Sequence, residues 1–156
     1  EICIATHVFP CRRRHGKTCV AMQISHSLMT SRRVTPIVFF GHGSPTTILD
    51  DPETCNQWRQ IGKSIGKPKA ILCISAHWCT QGIEATAMEA PRTIHDFGRG
   101  LPSELFDLQY SASGSPALAH RVRELLDPLP VKMDFNWGYD HAAWTVLSVV
   151  LSLIHI

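Results

Sequence analysis

The chain has no apolar run near the roughly 20 residues that a membrane-spanning helix needs, so no membrane partner is expected. It has no Gly-x-x-x-x-Gly-Lys-Ser/Thr loop and no Gly-x-Gly-x-x-Gly turn, which argues against nucleotide and dinucleotide sites of the familiar kinds. No Gly-x-Ser-x-Gly elbow is present either: Ser44 stands in Gly41-His42-Gly43-Ser44-Pro45, which does not support a serine hydrolase. None of the six cysteines forms a Cys-x-x-Cys pair. That is not a disulfide framework, and it suits a reducing, cytoplasmic setting. Acidic residues are scarce at the start, where residues 1–33 hold six Lys/Arg against one Glu. Residues 34–156 hold nine against twelve, so the net charge of +2 comes from the first segment. Basic residues elsewhere do not interleave with aromatics, and nucleic acid is excluded as an expected partner.

The chain has 156 residues with 44% hydrophobic and 18% charged, an ordinary balance for one folded unit with a real core. Residues 1–33 read as a leader outside the domain, without steady periodicity. It is either a basic targeting segment or sequence upstream of a start at Met29 or Met22. From Pro36 the pattern is regular. Pro36–Phe40 reads as a strand, followed by a loop carrying His42. Asp51 and Pro52 form a helix start, and Cys55, Trp58, Ile61 and Ile65 make one apolar stripe that ends at Gly66 and Pro68. Ala70–Ile74 reads as a strand covered on both faces. Ile83, Ala85 and Ala87 alternate as another strand. Ser115 and Pro116 open a helix whose inner face is expected to hold Leu118, Val122 and Leu125. Val131, Met133 and Phe135 alternate again, and a helix is expected from about Ala142. The alternation predicts an α/β fold with a central, mostly parallel or mixed sheet flanked by helices.

Two histidines stand just past strand-like runs, His42 after Phe40 and His77 in Ser75-Ala76-His77-Trp78. Neighbouring parallel strands bring such ends together at a ligand crevice, and two imidazoles there would make half of a metal site. His141, at a loop-to-helix junction, and His95, in Thr93-Ile94-His95-Asp96-Phe97, are further candidates. His95 reads equally well as a loop residue paired with Asp96. His120 reads as a solvated residue among charges.

Val38–Pro45, Pro68–Leu72, Ser75–Trp78, Thr93–Phe97, Leu105–Asp107, Tyr110–Ala119 and Asp140–Trp144 occur in this order. The set resembles the class III extradiol ring-cleavage dioxygenases, in their 4,5-DOPA branch, over residues 34–147. The resemblance implies one mononuclear Fe(II) or Zn(II) site with His42 and His77 as metal ligands. It implies His141 as a catalytic and substrate-holding residue and His95 on the substrate side. It also implies a DOPA-like catechol and O₂ as reactants, with the ring opened beside its two hydroxyls. The match stops near Leu147, so residues 148–156 are expected to be a tail outside the family and the domain incomplete. With the family's further ligands expected beyond that point, weak metal binding and aggregation-prone sheet edges are expected. A carboxylate from within the chain, Asp96 or Glu104, would be a stand-in third ligand. Two other readings remain open here: a zinc hydrolase using the same histidines, and a catalytically dead fragment.

Overall fold

A computed structural model describes residues 2–6 and 35–151. Five parallel-paired strands and five helices alternate along them, an α/β arrangement. The first sheet has three strands in the order β2-β1-β3: β1 is Ile2–Thr6, β2 is Ile37–Phe40 and β3 is Ile71–Ser75. Both neighbours run parallel to β1, with Ile4 opposite Val38 on one side and Cys73 on the other. A second parallel pair joins β4 (Ile83–Thr86) to β5 (Val131–Asp134), with Ile83 opposite Val131. The central strand β1 thus comes from the segment read as a leader, and residue 1 and residues 7–33 of that segment lie outside the described residues.

Helix α1 (Thr47–Asp50) is a single turn after the His42 loop. Helix α2 (Pro52–Ile65) starts where Asp51 accepts a hydrogen bond from the Thr54 N–H at 2.9 Å, with proline in its first turn. It ends at Gly66, whose φ of 73° is one that residues with a side chain avoid. The expected stripe is real: Cys55, Trp58 and Ile61 are buried, and Trp58 meets Phe40 edge-on at 5.9 Å. Helix α3 (Glu104–Asp107) is short and was not legible in the sequence. Helix α4 (Pro116–Leu125) is capped by Ser115, which accepts from the Leu118 N–H. Helix α5 (His141–Val150) is buried along nearly its whole length, and it passes through the point where the resemblance was expected to stop. The core lies between α2, α5 and the C-terminal end of β2. At Gly62 the α2 backbone approaches α5 so closely that a Cβ would lie 1.8 Å from the Val150 carbonyl oxygen.

Three packing expectations need correction. Strand β3 is not covered on both faces. Ile71 and Cys73 pack against the core, whereas Ile74, on the opposite face by strand alternation, is 55% exposed. Leu125 does not line the inner face of α4. That helix buries only Ala119 fully, and Leu125 at its last turn is exposed. Phe135 is exposed because β5 ends one residue earlier, at Asp134, whose carboxylate accepts from the Asn136 and Trp137 N–H groups and turns the chain. None of the helices among the described residues is long and apolar enough to cross a membrane.

Candidate metal centre

His42 sits just past β2 in a loop held by local contacts. Gly43 adopts a φ of 63°, and the Thr47 hydroxyl donates to the His42 carbonyl at 3.3 Å. The turn carries the His42 side chain inward, to 1% exposure. Both of its ring nitrogens are buried without a hydrogen-bond partner among the described residues. A buried polar atom with no partner is unfavourable, and such atoms in a native fold point to something that satisfies them.

His77 follows β3, its N–H bonded to the Ser75 hydroxyl at 3.1 Å. Its Nε2 is also buried and unpartnered. His141 is the first residue of α5. Asp140 caps that helix by accepting from the Ala143 N–H at 3.0 Å, which fixes where His141 emerges. The three rings converge: centroids lie 5.1 Å apart for His42 and His77, 5.4 Å for His42 and His141, and 4.1 Å for His77 and His141. Each ring offers one nitrogen, and these all lie within 4.8 Å of one another.

Asp96 borders the group. Its Oδ1 accepts from the His141 backbone N–H at 2.8 Å and lies 2.9 Å from His141 Nδ1, a close contact off the line of an ideal hydrogen bond. Its Oδ2 lies 3.6 Å from His77 Nδ1. Burial works to raise the Asp96 carboxyl, but the contacts from His141 outweigh it and hold the group below the ordinary carboxylate range. Glu104 stays on the surface, so the two carboxylates named as stand-in ligands occupy quite different places. Trp78, beside His77, stacks parallel to Trp137 with centroids 6.0 Å apart, and Trp137 Nε1 donates to Asp140 at 3.3 Å.

His95 stands apart from the three-ring group. Its Nε2 donates to the Leu108 carbonyl at 3.0 Å, and its ring packs among Phe97, Phe106 and Trp144. His120 is exposed on α4 beside Arg123, as expected.

The donor set fits a divalent metal. Clustered imidazoles suit zinc, iron and copper, and the unpartnered nitrogens of His42 and His77 are the atoms such an ion would satisfy. Crowding also sets the charge state of His42. Burial first, then the neighbouring His141 and His77, push its imidazole down to about 4, against a smaller upward pull from Asp96. In an unfolded chain a histidine titrates near 6.5. Between those values the unfolded state takes up a proton that the folded state refuses. Stability is therefore full above pH 6.5 and falls as pH drops toward 4, by about 3 kcal/mol in the metal-free chain. Urea unfolding at pH 7.5 and 4.5 measures this. The decline is expected to be smaller by that amount in His42→Leu, and an identical decline in both chains would refute the assignment.

Residues of this chain align with proteins of known activity. It is 50% identical over 121 residues to the 4,5-DOPA dioxygenase extradiol of Escherichia coli K12, covering 77% of this chain and 44% of that protein. It is 40% identical over 119 residues to the 4,5-DOPA dioxygenase extradiol of Beta vulgaris, covering 72% of this chain and 44% of that protein. A crystal structure of an uncharacterized Escherichia coli K12 protein shares 37% identity over 68% of this chain and 38% of its own, with a TM-score of 0.48. No protein-family model matches the chain. The chain spans less than half the length of the curated relatives it matches.

Proposed function

We propose that this chain, a partial member of the 4,5-DOPA branch of the class III extradiol dioxygenases, carries the histidine cluster of a metal-dependent enzyme that opens a catechol ring with O₂. The observation that carries the reading is the meeting of His42 and His77 at the ends of β2 and β3, each with a buried nitrogen that no group among the described residues satisfies. These two side chains would hold one Fe(II) or Zn(II). The ion, when bound, supplies a fixed meeting place for a DOPA-like catechol and O₂, which removes the entropy of a three-body encounter. Both oxygen atoms enter the product, and the ring bond beside the two hydroxyls breaks.

The chain's own groups do the rest. His141 takes the catechol proton at the nitrogen not turned toward Asp96, and returns a proton after ring opening. The first turn of α5 holds it in place. His95 serves the substrate side through Nδ1, since Nε2 is committed to Leu108. Phe97 packs edge-on against His141 at 5.7 Å and covers one side of the cluster. A cytoplasmic setting fits the free thiols of Cys55 and Cys79.

A second reading gives His141 a ligand role, because its nitrogen lies in the same 4.8 Å group as the other two. One experiment tests both. The chain is loaded with Fe(II) without oxygen, then given DOPA and O₂. A yellow ring-opened product is expected in the parent chain and absent in His141→Ala. Metal affinity unchanged in that variant favours the proton role, and a collapse in affinity favours the ligand role. A chain that binds Fe(II) through His42 and His77 yet consumes no oxygen with catechols would overturn the function.

A further inference from the structure

We propose that Asp96 is a positioning residue whose charge biases the tautomer of two imidazoles at once, those of His77 and His141. The inference bears on the metal centre proposed above, but its core can be read without metal. Asp96 is anchored first: its Oδ1 accepts the His141 backbone N–H at 2.8 Å, which ties the carboxylate to the start of α5. Its side chain is only 17% exposed, so it does not swing freely in water. From that anchor one oxygen faces His141 Nδ1 at 2.9 Å and the other faces His77 Nδ1 at 3.6 Å.

An ionised carboxylate accepts hydrogen bonds and donates none. Neither ring contact has hydrogen-bond geometry, the first being off-line and the second too long, so the carboxylate acts through its charge, which favours hydrogen on the ring nitrogen nearest to it. A neutral imidazole carries one such hydrogen, so the opposite nitrogen, Nε2, keeps its lone pair. For His77 that Nε2 is buried with no partner among the described residues. The same carboxylate therefore prepares a metal-binding lone pair on one ring and a proton-accepting lone pair on the other. Carboxylates behind metal-bound histidines orient the rings and raise their basicity, and losing one typically weakens metal binding about 10- to 100-fold. Asp96 serves two rings from one position, which couples the geometry of the two roles.

Long-range ¹H–¹⁵N correlation spectra of the metal-free chain at pH 8.5 read the tautomers directly. His77 and His141 are expected with hydrogen on Nδ1 and a bare Nε2. In Asp96→Asn the amide keeps the backbone bond through its oxygen and turns its NH₂ toward a ring. That demands a lone pair on the facing nitrogen, so at least one of the two rings is expected to switch to the Nε2–H form. Zn(II) affinity in Asp96→Asn is expected to fall about 10- to 100-fold, with Asp96→Glu recovering part of it. Hydrogen on Nε2 of both rings in the parent chain would overturn the proposal even if the variant fails to fold. Unchanged tautomers in a folded Asp96→Asn would do the same. A parent chain with the expected tautomers that binds no Zn(II) would instead refute the metal centre and leave the positioning role standing.

Discussion

His42→Ala is expected to abolish metal binding. The loss should exceed the roughly 100-fold typical of removing an outer-shell partner, because a directly coordinating nitrogen is gone. His42 is the most enclosed of the three rings, and both its nitrogens are unsatisfied among the described residues. Its imidazole remains neutral down to about 4, so the lone pair needed by a metal is available throughout the ordinary range. Equilibrium dialysis against Zn(II) or Co(II), with the metal content of the retained protein, gives the answer. The variant should fold, since alanine removes buried polar atoms that have no partners among the described residues. Retention of one tightly held ion in a folded His42→Ala chain would remove this residue from the centre.

The second large effect is structural. Gly62→Ala is expected to destabilise the fold by more than about 3 kcal/mol, above the usual range for an overfilled core. Overfilling is commonly relieved by side chains that change rotamer. Here the obstacle is the Val150 carbonyl, 1.8 Å from the added carbon, with its carbonyl carbon at 2.8 Å. A backbone group cannot rotate aside, so α5 itself must shift away from α2. That helix also carries His141, Trp144 and the Asp140 cap. The substitution should therefore lower the urea midpoint and also disturb the His77–His141 contact. A variant with parent-like stability would show that the α2–α5 approach is looser than described.

Much of the frame was legible from local chemistry. The Asp51–Pro52 and Ser115–Pro116 starts worked because a capping side chain and a proline restrict the same few torsions regardless of context. His42 and His77 could be placed at strand ends because a short apolar run followed by glycine or serine limits where a strand can stop. Tertiary choices were less visible. The exposure of Ile74 and Leu125 depends on which helices cover which faces, and periodicity alone does not carry that information. Strand β1 was hidden in a segment whose basic composition resembles a leader. Asp96 was weighed only as a substitute ligand. Its neighbour His95 drew attention, yet only the folded chain brings Asp96 beside rings that lie 19 and 45 positions away in sequence. His141 was placed on the chemistry side by resemblance, and its nearness to both other rings needed the helix to begin one residue before the expected start.

The parallel pairing of β4 with β5 joins segments more than 40 residues apart, and the three imidazoles come from positions 42, 77 and 141. Contacts that distant form late, because closing long loops must precede any reward from the contacts themselves. During synthesis, a ribosome must release nearly the whole described chain before the third ring can join the first two. Metal is thus poorly suited to seed folding here, and acquisition should follow the docking of α5. Refolding traces should show helix signal returning ahead of metal uptake.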